Sequence, residues 1–73
     1  MGYPLPGQIY DHYKGGRYEV ITLCTHTETN EKLVIYKSLH FGSVHARPLD
    51  QWFDEIPERP GYLRTVRFKL VEN

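Results

Sequence analysis

Short runs of hydrophobic and β-branched residues alternate with glycine, proline and polar turns along this chain, a pattern typical of a small all-β domain. Strands are predicted over 8–13, 18–26, 33–39 and 44–47, with a Gly-Gly hairpin turn between the first two. The 18–26 run is apolar and β-branched without alternation. We therefore expect that strand to be covered on both faces or to contain a bulge.

The hydrophobic period changes after Pro48. Four apolar residues then follow the spacing of one helical face: Leu49, Trp52, Phe53 and Ile56. Proline fits the first helical turn and Pro57 would stop the helix, so we predict a short amphipathic helix of about two turns that covers one end of the sheet. The polar residues between them should face water: Asp50, Gln51, Asp54 and Glu55. The 65–70 segment alternates with period two, which predicts a last strand with Val66, Phe68 and Leu70 inward.

Five hairpin-linked strands with one short helix before the last strand favour a small SH3-like barrel or roll, because closing the sheet hides its edges. A five-stranded OB-like barrel is the alternative. The 73 residues leave room for one domain. Residues 1–7, rich in proline and glycine, are expected to form an irregular N-terminal segment, and 8–73 the single β domain.

Composition narrows the cellular setting. Cys24 is the single cysteine, so no intrachain disulfide can form, and we expect a reducing cytoplasm with this thiol as a small buried hydrophobe. No window approaches the roughly 18 apolar residues of a membrane span, and the first residues do not resemble a signal peptide. Nine Lys and Arg balance nine Asp and Glu, which argues against a partner held mainly by bulk counterion release.

Several motifs share their order and spacing with one known family. They are Tyr10-Asp11-His12-Tyr13-Lys14-Gly15, Tyr18-Glu19-Val20, His26-Thr27-Glu28-Thr29, Leu33-Val34-Ile35-Tyr36, Arg47-Pro48-Leu49 and Phe53. From about Gly7 to Phe68 the chain resembles the bacterial family named domain of unknown function 1653. The resemblance implies an SH3-like barrel in a mostly free-standing bacterial protein, and it implies no established activity. One departure is visible: the family usually has an aromatic residue at the position of His45.

Polar residues within these motifs are the ligand-binding candidates: His12, Lys14, His26, Glu28, Tyr36 and Arg47. Neighbouring strands of a hairpin-linked barrel can bring such residues into one patch. The structural alternative is that the two histidines cap strands and that Glu28 shapes a turn. For Arg47, at a strand end before a proline, we expect a structural role with Glu28 as the acceptor and Tyr36 nearby.

Catalytic and metal-binding patterns are missing from the sequence. The four histidines, at positions 12, 26, 40 and 45, lack the tight spacing of a metal site. The carboxylates Glu28, Asp50, Asp54 and Glu55 fall in predicted loops or exposed helix positions, and neither a Ser-His-Asp set nor a phosphate-binding glycine loop is present. We therefore expect no catalytic residues, no metal and no cofactor, with a small enzyme or a metal-binding protein as the less favoured alternatives.

Large aromatic side chains are numerous for so small a core: Tyr3, Tyr10, Tyr13, Tyr18, Tyr36, Trp52 and Tyr62. Some must be partly exposed, where they can bind a proline-rich peptide, stack on a base or contact a second copy of the chain. These features favour a non-catalytic binding module for a protein or peptide partner. An RNA or nucleotide module is the alternative, with phosphate contacts from Lys14, Arg17, Lys37 and Arg47.

Overall fold

The computed structural model describes residues 3–56 and 65–71, which form a small antiparallel β fold with almost no helix. The elements are β1 (Ile9–His12), β2 (Arg17–Thr25), β3 (Lys32–Ser38), β4 (Val44–Pro48), a 3-10 turn (Leu49–Gln51), β5 (Glu55–Ile56), β6 (Thr65–Val66) and β7 (Phe68–Leu70). Five strands form one sheet in the order β4-β3-β2-β1-β7, and β5 pairs with β6. The predicted all-β class with about five antiparallel strands is confirmed. The choice between an SH3-like and an OB-like barrel stays a prediction.

The β1–β2 hairpin turns through two glycines, as the sequence predicts. Gly15 has φ 101° and Gly16 has φ 91°, a region that L side chains rarely adopt. The Gly16 carbonyl accepts the His12 N–H at 3.0 Å, and a Cβ on Gly16 would lie 3.3 Å from the Tyr18 ring. Glycine is therefore required at this turn for its backbone conformation, and at Gly16 also for space.

A bulge interrupts the pairing of β2 with β3, which confirms one of the two expectations for the continuous apolar run. The register shifts between Val20 and Thr22, so that Ile21 has no partner residue in the β2–β3 ladder. Val20 is buried, whereas Ile21 is 40% exposed. The extra residue changes which side chains of β2 face inward, and this is how an unbroken apolar run fits a sheet with one solvated face.

The core is a cluster of aromatic rings on one face of the sheet. Its buried members are Tyr10, Val20, Val34, Tyr36, Trp52 and Phe68. The Trp52 and Phe68 rings stack with centroids 3.9 Å apart and planes 5° apart. Tyr10 and Tyr36 direct their edges at Trp52 from 5.3 Å and 5.0 Å. Trp52 is thus the centre of the core.

The helix predicted over 49–56 is wrong in length and type. The chain makes one 3-10 turn over Leu49–Gln51, and Glu55–Ile56 belongs to β5. A helix of about two turns is marginal in water unless packing supports it. Here Trp52 enters the core with its side chain 0% exposed, instead of covering one end of the sheet. The predicted helix end at Pro57 lies outside the described residues.

The segment after Trp52 takes a strand-like course because its backbone has a partner in the last part of the chain. The Asp54 carbonyl accepts the Arg67 N–H at 2.7 Å. Asp50 and Gln51 are exposed as predicted, and Asp54 is half-buried with a side chain that is 42% exposed. The side chains of Glu55 and Ile56 lie outside the described part of the structure. Within that part, no helix is long and apolar enough to cross a bilayer.

The last predicted strand is divided at Arg67 into β6 and β7. Of the three residues predicted to face inward, Phe68 is buried, Val66 is half-buried and Leu70 is 40% exposed. Leu70 is opposite Tyr10 and so lies on the inner face as predicted, but at the margin of the core, where it is partly exposed. The division lets one segment pair with β5 before the bend and with β1 after it, so strict alternation does not continue through it.

Candidate functional site

Strand register places several polar side chains on the same face as the aromatic core. His12 of β1 is opposite Phe68 of β7, and Arg47 of β4 is opposite the buried Val34 of β3. Directly opposite residues of paired strands project to one face of a sheet. The inner face therefore carries polar groups beside its apolar core. Ring and cation contacts link His12, Arg47 and Phe68 of this face to residues of the adjoining turn and bend. We call the six residues joined in this way the basic–aromatic cluster: His12, Tyr13, Lys14, Arg47, Arg67 and Phe68.

His12 lies at the centre of the basic–aromatic cluster. Its ring is 4.7 Å from the Tyr13 ring and 4.9 Å from the Phe68 ring. Its Nδ1 accepts the backbone N–H of Lys14 at 3.1 Å, which assigns the proton of the neutral ring to Nε2. Burial lowers the pKa of His12, and the positive charges of Arg47, Arg67 and Lys14 lower it further. The neutral imidazole is the favoured form.

Arg47 places its guanidinium over an aromatic face. Its Cζ is 5.8 Å from the centroid of the Phe68 ring, and its side chain is half-buried. Its Nε is buried and has no hydrogen-bond partner among residues 3–56 and 65–71. The predicted Arg47–Glu28 pair is wrong, because Glu28 is exposed in the loop between β2 and β3. Tyr36 does lie nearby, since its ring is 5.5 Å from Phe68.

Arg67 occupies the bend between β6 and β7, and its backbone is held from both sides. Its N–H donates to the Asp54 carbonyl at 2.7 Å, and its carbonyl accepts the Tyr13 N–H at 3.0 Å. Its Cζ lies 6.0 Å from the Tyr13 ring centroid, and Nη2 is 3.9 Å from Asp54 Oδ2. The Nε of Arg67 is buried and has no hydrogen-bond partner in the described structure.

Lys14 adds a third permanent cation. Its Nζ is 5.7 Å from the Tyr13 ring centroid, so Tyr13 has Lys14 and Arg67 around it. Asp11, on the same hairpin, is already bound to Arg17 through two contacts of 2.8 Å and 3.2 Å. The Arg17 hydrogen bond lowers the pKa of Asp11 and keeps it ionised. Among the described residues, the positive charge of the cluster is thus only partly neutralised, through the weak contact between Arg67 and Asp54.

Two of the predicted site residues lie elsewhere. His26 and Glu28 are in the β2–β3 loop, at the opposite end of β2 from the glycine turn. His26 Nδ1 accepts the backbone N–H groups of Glu28 and Thr29 at 3.1 Å and 3.3 Å. The structural alternative, in which these residues shape a turn, therefore fits them.

The structure brings His12, Lys14 and Arg47 together and places Tyr36 in the core beside them. Arg67 is the member that sequence reasoning missed, because strand alternation assigns it to a solvated outer face. Its bend depends on pairing with both β1 and β5, which no local pattern shows. Within the described residues, no group of three His, Cys, Asp or Glu side chains is placed to hold a metal ion.

An open cleft of about 950 Å³ adjoins the basic–aromatic cluster. Its walls are the β1–β2 hairpin, residues 11–18, and the loop after β3, residues 38–41. His12, Tyr13 and Lys14 belong to both the cleft and the cluster. A ligand in the cleft would therefore contact one side of the cluster.

The loop after β3 holds an aromatic ring in solvent at the edge of this cleft. Phe41 is 81% exposed, although the turn beneath it is well bonded. The buried Ser38 Oγ accepts the backbone N–H groups of His40 and Phe41, at 3.3 Å and 3.0 Å. The Gly42 N–H donates to the Ser38 carbonyl at 2.8 Å, with φ 75° at Gly42. The exposure of Phe41 is therefore a property of a defined turn.

His45 fills the position where the family pattern has an aromatic residue. Its ring centroid is 5.5 Å from Tyr36 and 6.5 Å from Tyr18. Its Nε2 lies 2.9 Å from Ser43 Oγ. The imidazole thus takes part in the ring packing and adds a hydrogen bond that a phenyl ring could not make.

Comparisons with known proteins agree with this architecture. The sequence model of the family described as protein of unknown function (DUF1653) matches residues 8–70. A crystal structure of a DUF1653 protein from Bordetella bronchiseptica is similar, with 32% sequence identity and a TM-score of 0.77. The match covers 90% of this chain and 85% of that one. No curated protein matches the chain significantly.

Proposed function

The chain belongs to the DUF1653 family, and on that premise we propose that it is a non-catalytic binding module for a protein or peptide partner. The recognition surface in this proposal is the cleft between residues 11–18 and 38–41. The family gives no activity from which to argue, so the proposal rests on the site itself.

The observation that carries the proposal is Phe41, which a bonded turn presents to solvent beside the cleft. Burying a phenylalanine side chain contributes roughly 1.5–3 kcal/mol, and a turn that is already ordered loses little entropy on binding. Leu39, also in the cleft wall, is 46% exposed. Aromatic residues, phenylalanine included, are enriched at protein interfaces, so an exposed Phe41 beside the cleft is consistent with a polypeptide partner.

The charge at the cleft is consistent with a polypeptide partner. Arg17, in the cleft wall, is neutralised by Asp11. Lys37 lies on β3 between the buried Tyr36 and Ser38, and its side chain therefore projects to the other face of the sheet. Arg17 and Lys37, two of the four residues predicted to contact phosphates, are thus poorly placed to bind a nucleic acid in the cleft.

The test is capture of partners from a bacterial lysate on three immobilised baits: wild type, Phe41→Ala and Leu5→Ala. Leu5 is 57% exposed and lies outside the cleft lining, so Leu5→Ala is a matched loss of exposed apolar surface. We expect a specific protein retained by wild type and Leu5→Ala and lost from Phe41→Ala. Equal capture by all three baits would contradict the role of the cleft.

The alternative, an RNA or nucleotide module, is favoured by one observation. Tyr13 is half-buried with Lys14 and Arg67 around it, an arrangement that can stack on a base and contact its phosphate. Nuclease treatment of the lysate distinguishes the two functions. A complex that disappears with nuclease, and whose affinity falls steeply with salt, would overturn the protein-partner proposal in favour of this one.

A further inference from the structure

We propose that the basic–aromatic cluster binds a carboxylate group of the partner, with the Arg47 guanidinium as its main contact. This inference rests on the proposed function, because it supposes that a polypeptide lies in the adjoining cleft. It adds a chemical requirement: the partner has to present an acidic side chain or its C-terminal carboxylate at the cluster.

Hydrogen bonding within residues 3–56 and 65–71 does not account for the position of Arg47. A guanidinium carries several N–H donors in a planar fork, and buried donors in native proteins nearly always have acceptors. The Arg47 Nε is buried, yet these residues supply it with no acceptor. The Arg47 Cζ lies 5.8 Å from the centroid of the Phe68 ring, a cation–π contact that does not use the Nε donor.

Among the described residues, the basic–aromatic cluster carries a surplus of positive charge. Arg47, Arg67 and Lys14 all lie close enough to His12 to lower the pKa of its imidazole. In the described part of the chain, the carboxylate nearest to this group is Asp54, 3.9 Å from Arg67 Nη2. A bound anion would relieve the repulsion among these cations and accept hydrogen bonds from the Arg47 fork.

A ligand in the cleft has access to one side of the basic–aromatic cluster. His12, Tyr13 and Lys14 line the cleft and also belong to the cluster, so the two features are continuous. A peptide whose apolar group contacts Phe41 can therefore place a carboxylate beside His12 and Lys14. Arg47 does not line the cleft, so the carboxylate has to extend past His12 to reach its guanidinium. Carboxylates are the common anions of polypeptides, and the chain as a whole has no net positive charge for attracting a polyanion.

The experiment titrates the full chain with sodium acetate, inorganic phosphate and sodium chloride at matched ionic strength. The NMR signals of the Arg47 and Arg67 Nε–Hε groups and of the His12 ring report binding. We expect chemical-shift changes that saturate with acetate and do not saturate with chloride. The affinity for phosphate should be at most a few-fold higher than the affinity for acetate. Binding of phosphate more than tenfold tighter than acetate would overturn the carboxylate assignment. Absence of saturation with every salt would overturn the site.

Three variants separate the site from general charge effects. Arg47→Gln removes the fork and should weaken acetate binding at least tenfold, whereas Lys37→Gln removes one charge on the other face of the sheet and should leave it unchanged. Arg47→Lys keeps the charge without the fork; it is expected to bind several-fold more weakly than wild type, and it replaces Arg47→Gln if that variant does not fold. Acetate affinity in Arg47→Lys or Arg47→Gln equal to wild type would contradict the role of Arg47.

The outcomes distinguish this inference from the proposed function. If a protein partner is captured by wild type and lost from Phe41→Ala but retained fully by Arg47→Gln, the binding module stands and the carboxylate site is wrong. If acetate binds at Arg47 but every bait captures the same proteins, the site stands and the cleft proposal is wrong.

Discussion

At the scale of single residues, the polar groups of the inner face are held by packing more than by mutual pairing. His12 is fixed by the Lys14 N–H and by two flanking rings. Arg47 is fixed by its stacking on Phe68. These contacts hold each group while the described residues leave the Arg47 Nε donor without an acceptor, which is the condition for a site that can bind an outside acceptor.

His12 should make stability depend on pH. Its pKa is lowered in the folded protein, so below the ordinary value of about 6.5 the unfolded chain binds more protons than the folded one. The contribution of the neutral His12 to the free energy of unfolding is therefore fully present above that value. It is lost as the pH drops from that value toward the pKa of the folded protein. The groups responsible besides burial are Arg47, Arg67 and Lys14.

The measurement is urea denaturation of wild type and His12→Asn from about pH 7.5 to about pH 5.5, across the ordinary histidine pKa. Asparagine keeps a hydrogen-bond acceptor near the position of Nδ1 and does not titrate. We expect a steeper loss of stability in wild type than in His12→Asn. Parallel curves would contradict the role of His12 in the pH dependence.

Trp52 should be the most sensitive single position in the core. Its side chain is 0% exposed and stacks directly on Phe68. Trp52→Ala leaves a large cavity and should lower the free energy of unfolding by about 3–5 kcal/mol, much of the total for a domain of this size. Thermal and urea denaturation measure it against Leu5→Ala, which should be close to wild type. A wild-type melting temperature for Trp52→Ala is incompatible with the core described.

At the scale of elements, local sequence patterns correctly predicted the turn and the bulge, which depend on the conformation and polarity of neighbouring residues. The Gly15-Gly16 turn and the bulge of β2 follow from positive φ angles and from an apolar run too continuous for one solvated face. The helix predicted over 49–56 does not form, although the apolar spacing that predicts it is present. A helix of two turns is marginally stable, and pairing with β6 gives the end of the segment a strand conformation instead. Helical spacing correctly gave Trp52 an inward position without giving the right secondary structure.

The β1–β2 turn offers a comparison of two adjacent glycines. Both need positive φ, so alanine at either should cost about 1–2 kcal/mol from strain alone. A Cβ on Gly15 has no atom within 4 Å, whereas one on Gly16 lies 3.3 Å from the Tyr18 ring. Gly16→Ala should therefore be the more destabilising in urea denaturation. The reverse order would mean that Tyr18 moves away without cost.

At the scale of the whole molecule, the candidate site depends on contacts between distant parts of the chain. The sequence offered His12, Lys14 and Arg47 through their motifs, but it could not place Arg67 beside Tyr13 or separate Glu28 from Arg47. Those facts follow from the pairing of β1 with β7 and from the bend between β6 and β7. Long-range pairing of this kind has no local signature, which is why the fold class was predictable and the composition of the cluster was only partly so.

The pairing of the first and last strands makes the C-terminal segment essential for folding. Removing residues 65–73 would leave β1 without its β7 neighbour and would take away Phe68, the stacking partner of Trp52 and the ring beneath Arg47. A chain of this length has a small free energy of unfolding. The combined loss of one core aromatic residue and one strand pairing should destabilise it by more than that free energy. The truncated protein should lack a cooperative thermal transition and dispersed amide NMR signals, whereas Lys69→Ala, at an exposed position of β7, should unfold within about 0.5 kcal/mol of wild type. A cooperative transition in the truncated chain would mean that β1 to β4 and the 3-10 turn form the folding unit by themselves, with β7 only adding to its edge.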